Sequence, residues 1–283
     1  MECAIAERVR RAYPDLMHPR LATSLMIRTA EGRKILRSFV REYIAIAKGA
    51  DLPIVIGTPT WRLDQLRSAE EHIADDLNAK AVEFERAFKT DYSNIIVAGQ
   101  LGCKNDCYKP EEALSTPDAY EFHSWQTERL TGADFLYGVT LPAVGEALGI
   151  ARAMAETGRP YIISFCIGKD GRILDGTTLE DAIDNIDSKT KRPPTGYGVN
   201  CCYPSFLQSS ELTGNAARRM ISIQANASSL SHNELDASDT LKSDPVEDWQ
   251  RGMLALHQNP GLKMLGGCCG TTGEHLNALT APE

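Results

Sequence analysis

Three cysteines in this chain have the residue type and surroundings to hold a reactive metal. Cys201 lies in GVNCC at 198–202, and Cys268 and Cys269 lie in LGGCCGTT at 265–272. Zinc is satisfied by thiolates brought together from segments remote in sequence. Neighbouring cysteines can both ligate only where the backbone bends sharply, and Gly266, Gly267 and Gly270 supply that freedom. Three sulfur ligands with one exchangeable position form a catalytic pattern rather than a closed structural one. A free thiol has a pKa of about 8.5, and only its thiolate attacks well. Zinc in such a site would hold a substrate thiol ionised at neutral pH. With three thiolates already on the metal, that sulfur would stay nucleophilic, which suits alkyl transfer to sulfur better than hydrolysis.

The chain has eight cysteines, a number that in a secreted protein would suggest disulfides. Two adjacent pairs, and charges where a secretory leader needs its apolar core (MECAIAERVRRAYPDL), fit a reducing compartment and point to the cytoplasm. Cys202 follows Cys201 on the same strand, so it points elsewhere and reads as structural, as does Cys166 among apolar strand residues. Cys103 and Cys107, in CKNDC, are a minor alternative pair, and Cys3 has no assigned role.

The net charge is −8, with no basic tract interleaved with aromatics, which argues against nucleic acid as a partner. No run of 18 apolar residues suggests a membrane span. Apolar residues make up 42% and charged residues 24%, as in ordinary globular enzymes.

The elements that must position these cysteines are legible as repeats. Seven apolar runs, at 52–57, 94–99, 134–139, 161–167, 196–202, 220–226 and 262–267, are near-continuous rather than alternating, as strands buried on both faces are. Helical patterns lie between them, at 31–48, 66–88, 110–130, 143–157, 248–258 and, briefly, 274–278. In 143–157, Val144, Ala147, Leu148, Ala151 and Met154 share one face, and Gly158 and Pro160 end the pattern. Repeated βα units imply a parallel sheet, either open and doubly wound or closed as a (β/α)8 TIM barrel. No glycine-rich dinucleotide fingerprint follows an early strand, which disfavours the open sheet. Thr58, Gln100, Thr140, Asn200, Cys201, Asn226 and Cys268 all fall at strand C-termini, which in a barrel converge on one mouth. The expectation is a single barrel domain over 1–283. A barrel needs eight strands and seven are readable, so its first strand is either missing or replaced by another element. Residues 1–11 read as helical or loop-like, and they could fold back over the gap.

GVNCC and GGCCGTTGEHL (266–276) resemble the two zinc-cysteine motifs of the homocysteine S-methyltransferase family, which includes betaine- and S-methylmethionine-dependent enzymes. Further similar segments are VAGQLG (97–102), GADFLYGVTLPAVGEAL (132–148), SFCIGKDGRILDGTTLEDAI (164–183) and SIQANAS (222–228), so the resemblance runs from about residue 14 to 280. It implies a barrel with Zn(2+) on Cys201, Cys268 and Cys269 at its C-terminal face. It also implies methyl transfer to a thiol acceptor, homocysteine, giving methionine. Asn226, Thr140 and Thr58 are then expected to line the substrate site. No motif reads out the methyl donor. The chain has no room for separate folate, cobalamin or S-adenosylmethionine modules, so a small donor such as S-methylmethionine or a betaine fits, with Trp61 and Tyr137 as aromatic partners for its cation. Oligomeric state is not readable.

Two departures from the family pattern stand out. Its fourth strand carries an acidic residue that helps hold the amino-acid part of homocysteine, and here that position is Val139. The family also opens with a strand and an Asp-Gly-Gly loop leading into a Met-Glu or Met-Gly pair, whereas this chain starts at Met1-Glu2. The expectation is that the gene product begins upstream or is a weak enzyme, with unpaired edges at 52–57 and 262–267. A different thiol acceptor, a hydrolase using His123 or Glu274 as base, and an inactive relative keeping zinc for stability stay open as alternatives. His123, within a helical pattern, reads more simply as a satisfied surface or core histidine.

Overall fold

The computed structural model describes residues 1–281 apart from 211, 237–239 and 259–260. Its seven strands are β1 (Ile54–Gly57), β2 (Ile95–Leu101), β3 (Phe135–Leu141), β4 (Tyr161–Phe165), β5 (Gly196–Cys202), β6 (Met220–Ala225) and β7 (Met264–Gly267). They pair in parallel and in chain order, one sheet curling from β1 to β7. Every strand falls on one of the seven apolar runs. The architecture is a TIM-type barrel with helices outside.

Two apolar clusters divide the strands between them. Met1, Val55, Ala98, Phe135, Tyr137, Val139 and Ile162 pack together inside the curl. The intervening residues, among them Ile54, Ile56, Val97, Leu136 and Ile163, join the larger core beneath the helices. This period of two is why the runs read as continuously apolar: both faces are covered.

The Ala30–Gly49 helix shows how the outer layer forms. Thr29 caps its N-terminus by accepting from Gly32 N, and Leu36, Val40, Tyr43 and Ala47 form a buried stripe at helical spacing. One expected helix is divided. The pattern at 66–88 breaks into Gln65–Glu70 and Leu77–Arg86, because His72 turns left-handed (φ 52°) and Ile73 N donates back to Ser68 O at 2.8 Å, a Schellman-type stop. The pattern at 110–130 also starts late, at Thr116, where Ser115 caps and Pro117 fits the first turn.

The edges expected to be open at β1 and β7 are not bare. Residues 1–3 run between them. Met1 N donates to Leu265 O at 2.6 Å and Glu2 N to Val55 O at 3.0 Å, while Gly267 N donates to Glu2 O at 3.2 Å. The Glu2 side chain completes the seam, its Oε1 accepting from Gly57 N at 3.0 Å. Beyond it the chain turns into the Ala6–Ala12 helix. Residues 1–3 thus occupy the gap between the two edges.

Candidate metal centre and substrate cavity

Cys201 is the penultimate residue of β5, and Cys268 and Cys269 directly follow β7. Their sulfur atoms all lie within 4.8 Å of one another, and Cys201 Sγ is 2.8 Å from Cys268 Sγ. Among the described residues no other group of three or more His, Cys, Asp or Glu side chains comes together in this way.

The backbone that aims them is distorted. Cys201 (φ 53°) and Thr140 (φ 58°) both occupy the left-handed region, uncommon for residues with a Cβ. Each sits where the ladder loses register, between Gly138 and Leu141 on β3 and between Asn200 and Cys202 on β5. Such bulges re-aim a side chain at a barrel rim. Asn200 ties the two together. Its Oδ1 accepts from Thr140 N (2.8 Å) and Ser164 Oγ (2.7 Å), and its Nδ2 donates to Thr140 Oγ1 (2.6 Å) and faces Cys201 Sγ at 3.5 Å.

The Cys268-Cys269 corner is held from β6. Cys268 N donates to Ala225 O (2.7 Å), Cys269 N to Asn226 Oδ1 (3.1 Å), and Ala227 N to Cys269 O (2.9 Å). The bend itself comes from Gly270 alone (φ 82°), with Thr271 N and Oγ1 returning to Cys268 O. Gly266 and Gly267 serve another purpose. A Cβ on Gly266 would lie 2.8 Å from both Glu2 O and Met1 Cβ, and one on Gly267 would lie 2.7 Å from Cys3 Sγ. These two glycines make room for the N-terminal segment.

Cys201 is the sulfur that ionises most readily. Hydrogen bonds from Cys268 and Cys269, with Tyr108 and Thr140 also contributing, hold its thiol well below the usual range against the opposing effect of burial. Cys268, the donor in that pair, is pushed up. Tyr108 stacks on His232 (centroids 4.5 Å, 21°), and His232 Nε2 lies 2.6 Å from Cys201 O. Sequence reading missed Asn200 as a site-building residue, and it missed Tyr108 and His232 altogether. Tyr108 adjoins the CKNDC segment, the one signal that could have drawn attention to it.

The three sulfurs open on a cavity of about 230 Å³, lined also by Glu2, Thr58, Trp61, Glu85, Val139 and Thr140. An outer recess of about 350 Å³, bounded by Arg10, Asn226 and His232, shares Cys269, Trp61 and Tyr108 with it. Thr140 and Thr58 therefore reach the cavity, but their polar groups are engaged. Thr58 Oγ1 is 2.6 Å from Thr60 Oγ1 and accepts from Gln100 N at 2.9 Å. Tyr137 lies wholly inside the barrel, its hydroxyl 3.2 Å from Ser222 Oγ, so of the two expected aromatic partners only Trp61 reaches the mouth.

Cys202 and Cys166 are fully buried and outside the sulfur triad. Cys107 lines the cavity, while Cys103 turns back to Asn105 O at 3.5 Å. His123 is buried against Glu146 (Nε2 to Oε1 3.0 Å) between two outer helices, and Glu274 is exposed at the start of the Gly273–Thr280 helix. Neither lines the cavity, so neither candidate base for a hydrolase is in place.

The family model for homocysteine S-methyltransferase matches residues 2–281. Curated relatives include the homocysteine S-methyltransferase YbgG of Bacillus subtilis, 29% identical over 62% of this chain and 55% of that protein. The S-methylmethionine–homocysteine S-methyltransferase BHMT2 of Pongo abelii is 25% identical over 74% of this chain and 61% of its own length. The chain thus spans little more than half the length of these relatives. Among solved structures, the metallated form of the homocysteine methyltransferase MmuM from Escherichia coli superposes with a TM-score of 0.73 at 20% identity, covering 99% of this chain and 94% of that one, a likeness of fold. With the match extending over nearly every residue, the chain belongs to the homocysteine S-methyltransferase family.

Proposed function

We propose that this chain is a zinc-dependent methyltransferase that moves a methyl group from a small donor to the sulfur of homocysteine, giving methionine, and that it works as one barrel unit in the cytoplasm. The observation that carries the reading is the triad of sulfurs, all within 4.8 Å of one another, at the mouth of a barrel of this family. Cys201, Cys268 and Cys269 suit a thiophilic ion, and as an all-sulfur set they favour zinc over the hard cations. Zinc held there supplies the charge that lowers the pKa of a thiol brought to it.

The remaining work falls to the protein. Asn200 and Asn226 hold the two cysteine-bearing corners in register. Thr58 and Thr140 sit around the acceptor, shaping its space rather than offering free hydrogen bonds, and Asn226 borders the outer recess beside it. The indole of Trp61, on the wall shared by the inner cavity and the outer recess, offers its face to a sulfonium or quaternary ammonium donor. In the transfer, the donor's bond to its methyl group breaks with the electron pair leaving to the donor heteroatom. A carbon–sulfur bond forms at homocysteine, whose thiol proton goes to solvent. S-methylmethionine or a betaine fits the donor role, and in each the departing group leaves neutral at the atom that gives up the methyl.

The test is elemental analysis together with product detection. The purified chain should carry about one zinc. Cys201→Ala, Cys268→Ala and Cys269→Ala should each lose most of it, and Cys202→Ala should not. Incubation of the zinc-replete chain with homocysteine and either S-methylmethionine or glycine betaine should give methionine by mass spectrometry. Stoichiometric zinc in Cys269→Ala would sink the site, and no methionine from any donor would sink the activity. Val139, facing the cavity with no polar group, favours a second reading in which another thiol is the acceptor, and a thiol panel in the same assay separates the two.

A further inference from the structure

The approach to the sulfur triad changes charge along its length. No Lys or Arg lines the inner cavity. Outside it lies a broad recess of about 900 Å³, where Arg10, Arg20, Arg62, Arg67 and Lys104 stand against two acidic residues. The chain as a whole has the opposite balance, 30 Lys and Arg against 38 Asp and Glu. Trp61, Cys107 and Tyr108 form a wall common to this basic recess, the outer recess and the inner cavity, and Arg10 borders both recesses.

Two of the five cations are already neutralised, Arg20 by Glu70 and Glu71 and Arg67 by Asp64. The other three are not. Arg62 donates to the carbonyls of Lys104 (3.1 Å) and Asn105 (2.9 Å), and its guanidinium lies over the Trp61 ring, 4.3 Å from the centroid. The Lys104 ammonium lies 5.2 Å over the Phe122 ring. Arg10, in the last turn of the Ala6–Ala12 helix, is exposed and makes no hydrogen bond or ion pair among the described residues. The two acids on this wall are engaged: Asp106 Oδ1 accepts from Tyr108 N (2.9 Å) and Glu112 Oε1 from Lys109 Nζ (3.2 Å). Cations gathered without counter-ions favour an anion between them, and the arginine fork matches a carboxylate.

The Trp61 ring adds a second constraint. It already carries one guanidinium, so a bare sulfonium or quaternary ammonium ion brought to it is repelled. A donor that also bears a carboxylate offsets this repulsion when its anionic end points outward to the cations. We propose that Arg10 and the basic recess receive the carboxylate of the methyl donor, so that the chain selects donors in which an onium centre and a carboxylate are joined. This rests on the methyltransferase reading above and deepens it. The onium centre lies at Trp61 with its methyl group toward the triad, and the carboxylate lies outward on Arg10. Arg10 then governs the choice of donor and leaves the acceptor thiol alone.

The experiment compares each donor with its primary amide, which keeps the onium centre and is nearly isosteric but has no negative charge. S-methylmethionine and glycine betaine, and the amide of each, are given to the zinc-loaded full chain with homocysteine, and methionine is measured by mass spectrometry. The wild type should favour the acid over the amide by about fivefold or more in kcat/KM, the size of a well-formed arginine–carboxylate pair at a partly open site. Arg10→Ala should raise the donor KM by about that factor with kcat within about twofold, and bring acid and amide to within about twofold of each other. Arg10→Lys should restore part of the preference, and the KM for homocysteine should stay within about twofold in both variants. Melting curves check that each variant folds. A wild type that treats acid and amide alike, an Arg10→Ala variant that keeps the preference, or one that weakens homocysteine as much as the donor overturns the inference. If methionine is still formed in those cases, only this inference falls; a wild type that makes methionine from none of the four donors removes the methyltransferase reading with it.

Discussion

Asn200 shows how much of the candidate metal centre rests on one side chain outside the sulfur triad. Its amide joins Thr140 and Cys201, two residues held in left-handed backbone on different strands, and it also satisfies Ser164. Strained positions persist only when their surroundings over-determine them. Asn200→Ala would leave Thr140 N and Ser164 Oγ buried without partners, and each such orphan costs about 1–3 kcal/mol. We expect a loss of about 2–4 kcal/mol in denaturant unfolding. Zinc retention after dialysis should fall with it, because Cys201 loses its constraint. Cys202→Ala should behave in the opposite way. It removes a fully buried sulfur outside the triad, so stability should drop by about 1–2 kcal/mol while zinc content is unchanged.

At the level of elements, the seam between β1 and β7 couples barrel closure to the site. The hydrogen bonds of Met1 and Glu2 span both edges, and the last of them ends on Gly267, next to Cys268. Any residue larger than glycine at 266 pushes against this segment at 2.8 Å. Gly266→Ala should therefore displace residues 1–3, costing about 1–3 kcal/mol, the usual penalty of overpacking. It should also lower zinc retention, because the freed edge adjoins Cys268 of the sulfur triad. If elemental analysis finds Gly266→Ala as metal-rich as the parent, closure and metal holding are independent. Small misplacements of reacting groups cost large rate factors, so the same variant should slow turnover more than its stability loss would suggest.

For the whole molecule, the buried carboxyls make stability depend on pH in an unusual direction. Glu2 rises from the ordinary 4.5 to about 8, mainly through burial, and Glu85 rises too, through burial and then through Glu2. Three other titratable groups are coupled to Glu2: Cys3 and Tyr43, whose protons are held more tightly by burial and also by Glu2's charge, and the Met1 ammonium, which burial pushes down and whose charge opposes the rise of Glu2. A carboxyl that binds its proton more tightly when folded favours folding most at low pH. That contribution is full below about 4.5, declines as pH rises and is gone by about 8. On this term alone, Glu2→Gln should be more stable than the parent at pH 8, by up to roughly 3–5 kcal/mol, with little difference at pH 4. Urea unfolding across that range measures it. Equal slopes in both proteins would mean that Glu2 is already satisfied in the folded state.

The amino-acid sequence by itself determined the seven strands, the parallel order they imply and the three cysteines that the fold gathers into one sulfur triad. Short continuous apolar runs separated by longer helical patterns read as strands covered on both faces, and adjacent cysteines beside a glycine corner read as a pair aimed at one point. It also determined that Cys202 turns away, since neighbours on a strand face opposite sides. Only the tertiary structure decided how the barrel closes, because residues 1–3 pair with positions 264 residues away on the β7 side and 55 away at β1, which no local pattern links. The same holds for the bulges at Thr140 and Cys201, the Asn200 bridge and the stack of Tyr108 on His232, each made by residues that meet only after folding. The helix at 66–88 looked continuous because its composition is helical on both sides of His72, and its break depends on one backbone angle rather than on hydrophobic spacing. Glu2 was read only as part of a Met-Glu pair at the start of the chain, and its standing as a buried, half-satisfied carboxyl facing the thiol cavity comes from the elements packed around it, which exclude the water that would otherwise solvate it.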